Sequence, residues 1–233
     1  MFRFALSGLA LAALAALPAR ACEVALVLAV DVSGSVDREE YRIQMQGLAD
    51  GLRDGAVSEA LVAGEAALTV VHWTGTSRQN VAVPWAQITS FEALERFAVA
   101  VETAPRGWRN YSTAIGEALV FAQDQFAAVP GCKRRIIDIS GDGSSNEGIH
   151  PSALHGQLRG ADITVNALVI EGAEPDMTGY YWENVITGPG AFVITANSYA
   201  DYPDRMRRKL QREVAKQVSQ DQLDDVTHVR FSE

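Results

Sequence analysis

The chain has 233 residues, which is enough for one domain with a substantial hydrophobic core. Hydrophobic residues make up 48% of the chain and charged residues 21%, as is typical of an ordinary globular protein. The net charge of −9 disfavours nonspecific binding to nucleic acid or to an anionic membrane surface, because both are themselves negatively charged.

The first residues, 1–21, are expected to be a secretory signal peptide. Arg3 provides a basic start, the segment 4–17 is almost wholly apolar, and Ala19-Arg20-Ala21 places small residues at a cleavage site. The apolar run is shorter than the roughly 20 residues that span a bilayer, so cleavage is favoured over a membrane anchor. We therefore expect an exported protein, periplasmic or extracellular, with no membrane insertion after cleavage.

The mature chain opens with an apolar run, Ala25 to Val30, which predicts a strand buried on both faces. Asp31 ends this run, and Ser33 and Ser35 follow at alternate positions. Because alternate side chains of an extended chain lie on the same side, all three can face one point. Three such oxygen donors suit a hard cation such as Mg²⁺.

Helices and strands then alternate along the chain. Asp37 and Glu40 form a capping box at the start of the first helix, and Gly55 and Gly64 are expected to bracket a loop. Apolar runs and helical spacing predict strands at 66–73, 80–85, 135–140, 163–170 and 192–195, and further helices at 91–101, 115–126, 152–159 and 204–218.

The last predicted helix, 204–218, is amphipathic. Its apolar face is expected to point inward, and its basic face is expected to be solvated; the basic residues are Arg205, Arg208, Lys209 and Arg212. The residues after it, 219–233, are polar and are expected to form a loose tail, which leaves 22–218 as the folded domain.

Strands that alternate with helices predict an α/β fold. Right-handed crossovers give a Rossmann-like, doubly wound, mainly parallel six-stranded sheet with helices on both faces. The segment 80–85 is expected to return as a hairpin and to be the one antiparallel edge strand, since Pro84 cannot donate to a central ladder. Ligands bind such sheets at the carboxyl ends of strands, where Asp31 and Asp142 are both predicted to lie.

Two cysteines are present, Cys22 and Cys132, and each directly precedes a predicted strand. In an exported protein an even pair of cysteines usually forms a disulfide. If the two strands are parallel neighbours, roughly 5 Å apart, their starts lie within disulfide range. We therefore expect a Cys22–Cys132 bridge.

Three motifs, taken together and in this order, resemble those of the von Willebrand factor A (VWA) domain. They are Asp31-x-Ser33-x-Ser35, Thr113 ahead of a helix, and Asp142 at the end of a strand. The resemblance runs from Cys22 to about Val218 and is closest to secreted bacterial VWA-like proteins of unknown function. VWA domains carry a metal-ion-dependent adhesion site (MIDAS).

The resemblance implies that one metal ion, Mg²⁺ with Mn²⁺ as a possible substitute, is held by five side chains: Asp31, Ser33, Ser35, Thr113 and Asp142. VWA domains usually have two glycines before the metal-site Thr, whereas this chain has Tyr111 and Ser112 there. Ser112 therefore remains an alternative donor.

Two carboxylates and three neutral hydroxyls would leave a divalent ion near neutrality and short of six oxygen ligands. The open position can accept water or a carboxylate, and the resemblance implies an acidic residue of a protein partner. The expected function is therefore a non-enzymatic binding module. Trp108, Arg109 and Tyr111 are predicted partner contacts because these residue types anchor interfaces, with core packing as an equal alternative.

Two other functions compete with this one. A metal-dependent phosphatase of the haloacid-dehalogenase type also has an Asp at the end of its first strand, but it needs a second Asp two residues later, where this chain has Ser33. A subunit that works with an ATP-driven partner is disfavoured by the signal peptide, since the outside compartment lacks ATP.

Overall fold

The structure is a computed structural model that describes residues 22–109, 111–129, 131–172 and 174–214. The predicted signal peptide (1–21) and tail (219–233), and the end of the last predicted helix (215–218), lie outside the described residues. Within the described ranges, no helix is both long enough and apolar enough to cross a membrane.

The described residues form one sheet surrounded by helices. The strands are β1 (Val24–Asp31), β2 (Ala67–Trp73), β3 (Gln79–Gln87), β4 (Arg134–Gly141), β5 (Ile163–Ile170) and β6 (Val193–Ala196). The helices are α1 (Arg38–Arg53), α2 (Gly55–Ala63), α3 (Phe91–Glu102), α4 (Ile115–Gln125), α5 (His155–Gly160), α6 (Met177–Asn184) and α7 (202–214).

The sheet has six strands in the order β3-β2-β1-β4-β5-β6, which confirms the predicted fold class. Every neighbouring pair is parallel except β2 and β3, so β3 is the antiparallel edge strand and carries Pro84 on an exposed position. β1 lies between β2 and β4, and all eight of its residues are buried, which accounts for its unbroken apolar sequence. The chain winds to one side of β1 first and then to the other, so the order reverses there.

The core consists of two layers, one on each face of the sheet. Alternate residues of β1 enter different layers, as the 2-residue period of a strand requires. Leu26 and Leu28 pack with side chains of α1, α3 and α7, whereas Val27 packs with side chains of α4, α5 and α6. The helices therefore cover both faces, and only the ends of the sheet are left for a site.

The disulfide between Cys22 and Cys132 forms as predicted. It is possible because β1 and β4 are parallel neighbours and Val24 is in register with Arg134. An ion pair between Lys133 and Glu23, 2.6 Å long, lies beside it. The start of the domain is thereby tied to the middle of the chain.

The prediction of a loop between Gly55 and Gly64 was wrong, because α2 occupies this segment. The side chain of Asp54 caps the helix by accepting hydrogen bonds from the backbone amides of Ala56 and Val57. Val57 and Leu61, four residues apart, are fully buried on its inner side. The glycines stand at its two ends and do not interrupt it.

The prediction that Lys209 points into solvent was also wrong. Lys209 lies on α7 with no exposed surface, and its Nζ contacts Asp138 of β4 and, at 3.0 Å, Oε1 of Glu213. The helical spacing correctly predicts that the apolar residues of α7 are buried. A buried aspartate in the strand beneath the helix draws the lysine inward, and a helical pattern contains no information about that partner.

Candidate metal centre

The carboxyl ends of β1 and β4 bring the predicted metal-site residues to one edge of the sheet. Asp31 is the last residue of β1, and Asp142 directly follows Gly141, the last residue of β4. The two strands are parallel and in register from Val24 to Val30, so both carboxylates emerge on the same side. This edge lies where the strand order reverses, which is the usual ligand position in an open α/β sheet.

Asp31 is fully buried, and only one of its carboxylate oxygens has a hydrogen-bond partner. Oδ1 accepts a 2.6 Å bond from the backbone amide of Ser33, whereas the buried Oδ2 has none. Burial, together with the charge of Asp142, raises the pKa of Asp31 to about 7. A carboxylate with an unpartnered buried oxygen beside a second carboxylate is a strong candidate for a cation ligand.

The two serines connect Asp31 to Asp142. The Oγ atoms of Ser33 and Ser35 are 3.2 Å apart, and Ser35 donates a 2.6 Å hydrogen bond to Oδ1 of Asp142. The other oxygen of Asp142 accepts a 2.8 Å bond from the hydroxyl of Tyr199. Ser33 is buried and Ser35 is exposed, so the site opens to solvent on the side of Ser35.

Thr113 and Ser112 occupy different environments. Thr113 is buried, and its backbone is held by Asn146, which accepts from the Thr113 amide at 3.0 Å and donates to the Thr113 carbonyl at 2.9 Å. A Cβ placed on Gly143, the residue after Asp142, would lie 3.7 Å from the Thr113 hydroxyl. Ser112 is exposed and bonds to Glu147, whose pKa is lowered by hydrogen bonds from Thr76 and from Ser112. Thr113 is therefore the hydroxyl nearer the end of β4.

Arg106 holds the loop after β1, a role that the sequence did not reveal. Its Nη2 donates to the carbonyl oxygens of Val32 and Ser33 at 3.0 and 2.9 Å, and its Nη1 donates to that of Asp37 at 3.1 Å. The sequence around it, Pro-Arg-Gly, indicated only the end of a helix. Nothing in a local pattern shows that a side chain reaches carbonyls some 70 residues away.

The predicted partner contacts divide between packing and exposure. Trp108 is half-buried and packs against the core layer that contains α1 and α3. Arg109 is exposed, and Tyr111 is exposed beneath the guanidinium of Arg78, which stacks 3.9 Å from the centre of its ring. The carbonyl of Tyr111 accepts a 2.8 Å bond from Gly34, so its exposed ring lies beside the metal-site loop.

The donor set suits a hard divalent cation. In the part of the chain that the structure describes, no group of three or more His, Cys, Asp and Glu residues could hold a metal. The candidate donors are two carboxylates with hydroxyls, which suits ions such as Mg²⁺ and Mn²⁺ better than ions that prefer nitrogen or sulfur. The unpartnered oxygen of Asp31 provides the position at which such an ion fits.

Comparison with known sequences finds one family. The model of the family described as "Protein of unknown function (DUF1194)" matches residues 21–218. No curated protein sequence matches the chain.

Comparison with solved structures finds VWA-type domains. Proximal thread matrix protein 1 (PTMP1) from the mussel byssus is 19% identical, with a TM-score of 0.63, over 82% of this chain and 47% of that one. A PTMP1 structure with a zinc-occupied MIDAS motif is 18% identical, with a TM-score of 0.57, over 84% and 49%. A von Willebrand factor type A protein from Catenulispora acidiphila is 18% identical, with a TM-score of 0.59, over 82% and 43%. The chain thus spans less than half of each of these structures, and the likeness shows the fold.

Proposed function

The chain belongs to the DUF1194 family and has the VWA fold, and from this premise we propose that it is an exported, non-enzymatic binding module. In this proposal a bound divalent cation, Mg²⁺ or Mn²⁺, engages an acidic group of a protein partner. The side chains that would hold the cation are Asp31, Ser33, Ser35, Thr113 and Asp142.

The observation that carries the proposal is the buried, unpartnered Oδ2 of Asp31. An ionised carboxylate without a partner is costly to bury, and a second carboxylate nearby adds repulsion. Both costs would be removed by a cation between Asp31 and Asp142. Without a cation, two carboxylates placed together at the strand ends would only lower the stability of the protein.

The other residues around the proposed metal also support binding of a carboxylate from a partner protein. A bound divalent ion would supply positive charge and an open coordination position for a carboxylate of the partner. Arg106 holds the loop that carries Ser33 and Ser35, and Tyr199 orients Asp142. The exposed side of Ser35 leaves the approach open to a partner.

The similar structures and the disulfide support the remaining parts of the proposal. PTMP1 is a matrix protein of the mussel byssus, and one of its structures holds zinc in the MIDAS motif. The Cys22–Cys132 bridge suits an oxidising compartment, as export to the periplasm or cell exterior would provide.

Metal binding is tested by thermal unfolding of the mature protein during titration with Mg²⁺ or Mn²⁺. The wild type is expected to melt at a rising temperature, because an ion that binds only the folded state adds about 2.7 kcal/mol at a hundred times its Kd. The variant Asp31→Asn should lose this response. The matched control Asp124→Asn, an exposed residue of α4, should keep it.

The stability of Asp31→Asn without metal distinguishes loss of the metal site from loss of the fold. Without metal, Asp31→Asn should be at least as stable as the wild type, because it removes a buried charge beside Asp142. A melting temperature of the wild type that does not change with either metal would contradict the site.

Partner binding is tested by a pull-down from periplasmic extract with Mg²⁺ and with EDTA. Capture that requires Mg²⁺ and is absent with Asp31→Asn is the expected result. An assay with a generic phosphate ester tests the competing phosphatase function. Metal-dependent hydrolysis that disappears in Asp31→Asn would overturn the non-enzymatic proposal.

A further inference from the structure

A cavity lies at the opposite end of the sheet from the candidate metal centre. It has a volume of about 340 Å³ and is formed at the amino ends of β4 and β5. The eight residues of β4 separate the two places by roughly 25 Å, at about 3.3 Å per residue. Its charged lining residues are Lys133, Arg134, Arg135, Arg159, Asp162 and Glu213, and we name it the arginine cavity.

The three arginines of this cavity bond only to neutral acceptors. Arg134 donates to the carbonyl oxygen of Glu213 at 3.3 Å, and Arg135 donates to that of Ala161 at 3.0 Å. Arg159 donates to the hydroxyl of Thr187 at 3.0 Å. Among the described residues, no carboxylate lies within ion-pairing distance of any of the three.

The lack of carboxylate partners is unexpected in this chain, which has 29 acidic residues and 20 lysines and arginines. Other arginines do find carboxylates: Arg53 pairs with two glutamates, and Arg207 and Arg208 pair with Asp204. The three arginines and one lysine of the cavity lining outnumber its two carboxylates, Asp162 and Glu213, so the lining has a net positive charge. An anion in the cavity would offset that charge.

Arg134 has a further unsatisfied group. Its Nη1 is buried and has no hydrogen-bond partner, and burial lowers the pKa of its guanidinium. The charges of Glu213 and Glu23 oppose this lowering, but no hydrogen bond joins the Arg134 side chain to either carboxylate, and Oε2 of Glu213 is itself buried without a partner. Arg134 lines the cavity, so an anion bound there would lie beside its positive charge.

We propose that the arginine cavity binds a small phosphate-bearing anion. The planar guanidinium fork matches the oxygens of a phosphate and can bond to two of them at once. A phosphate monoester carries nearly two negative charges at neutral pH and three acceptor oxygens, which suits several arginines better than a single carboxylate. The volume lies at the lower end of the range for small-ligand pockets, so the ligand is compact.

This inference is independent of the proposed metal site, because the two share no residue. Its test therefore includes EDTA throughout, so that phosphate cannot be held by a metal at Asp31. The full mature protein is titrated calorimetrically with inorganic phosphate and with glycerol phosphate at constant ionic strength. Cosedimentation with phosphatidylglycerol vesicles, compared with phosphatidylcholine vesicles, tests whether the phosphate is that of a lipid headgroup.

The informative variant is Arg135→Gln combined with Arg159→Gln. It should weaken binding by about tenfold or more, because two charge-assisted hydrogen bonds are lost. Arg134 is left unchanged because its charge also interacts with Glu213, which pairs with the buried Lys209. The matched control, Arg96→Gln on the exposed side of α3, and the variant Asp31→Asn should both bind phosphate as the wild type does.

A measurement on the wild-type protein alone tests the proposal even if the double variant does not fold. Arginine side-chain amide resonances of the wild-type protein should shift when phosphate is added. Binding of the phosphate compounds indicates a soluble ligand, and binding of phosphatidylglycerol vesicles alone indicates a lipid headgroup. Absence of binding in every arm, or equal affinity of the double variant and the wild type, would overturn the proposal.

Discussion

Arg106 donates hydrogen bonds to three backbone carbonyl groups of the loop that carries Ser33 and Ser35. A loop that must present hydroxyl groups to an ion needs such support, because its own sequence is short and polar. Arg106 also brings positive charge near Asp31, which by itself would oppose binding of a cation. Positioning and electrostatics therefore predict opposite effects of removing it.

We expect Arg106→Gln to weaken binding of Mg²⁺ by about tenfold, since the loss of charged hydrogen bonds to the loop outweighs the relief of repulsion. Arg106→Lys should recover only part of the affinity, because an ammonium group cannot reach three carbonyls from one position. Calorimetric titration with Mg²⁺ gives both values. Arg109→Gln, an exposed neighbour, is the matched control, and tighter binding in Arg106→Gln would assign a purely electrostatic role to the residue.

His72 is buried in β2 against Tyr41, and burial lowers its pKa to about 4 from an ordinary value of 6.5. The folded protein therefore keeps His72 neutral, whereas the unfolded chain takes up a proton below pH 6.5. Its contribution to the free energy of unfolding is complete above that pH and is lost as the pH falls toward 4.

We expect this loss to reach about 2 kcal/mol between pH 7 and pH 5. Denaturant unfolding of the wild type and of His72→Gln at the two pH values isolates the effect, because other titrating groups are shared. The variant should lose less stability on acidification than the wild type. Equal losses in both proteins would show that His72 is protonated in the fold.

At the scale of elements, a buried charge cluster joins α7 to the sheet. Lys209 of α7 contacts Asp138 of β4 and Glu213 of its own helix, and all three are buried. Burial and the charge of Glu213, opposed by the charge of Lys209, together raise the pKa of Asp138 to about 7. The cluster sets the rotation of α7 about its axis, because only one face of the helix carries Lys209.

Replacing Lys209 by Met should destabilise the protein by about 3–5 kcal/mol, since two buried carboxylates would lose their cation. Arg208→Met, on the exposed side of the same helix, removes an ion pair to Asp204 and should cost less than about 1 kcal/mol. Denaturant unfolding measures both. Similar costs for the two variants would contradict a buried role for Lys209.

At the scale of the whole molecule, the disulfide closes the longest constrained loop in the described structure, with its cysteines 110 residues apart. In the chain-entropy model, a loop of this length is worth about 4–5 kcal/mol. The bridge holds the starts of β1 and β4 together, and the candidate metal site lies at the other ends of the same strands.

The double variant Cys22→Ala, Cys132→Ala should therefore unfold at a lower denaturant concentration, with a loss of about 2–5 kcal/mol. Reduction of the wild type should give a similar loss. The affinity of the double variant for Mg²⁺, measured under conditions where this variant remains folded, should match that of the wild type, because the disulfide contacts none of the proposed metal ligands. A large loss of affinity in the folded variant would show that the bridge also shapes the metal site.

The sequence by itself determined the sheet, its single antiparallel edge strand, the disulfide and the order of the candidate ligands. These follow from local periodicity and from residue types whose chemistry is strong wherever they stand, such as the apolar run of β1 and the carboxylate of Asp31. The same local signals gave a wrong prediction for α2. Gly55 and Gly64 predict the two ends of a loop, whereas Asp54 caps a helix in this segment.

Only the tertiary structure decided the inward position of Lys209, the support that Arg106 gives to the loop after β1, and the grouping of three arginines around the arginine cavity. Each depends on segments far apart in the chain that meet in the fold: Asp138 beneath α7, the loop after β1 beside Arg106, and Arg134 and Arg159 at one cavity. A local sequence pattern predicts which helix or strand forms. It does not identify the residues from distant parts of the chain that this element contacts. Long polar side chains are therefore placed by the packed fold rather than by their own stretch of sequence.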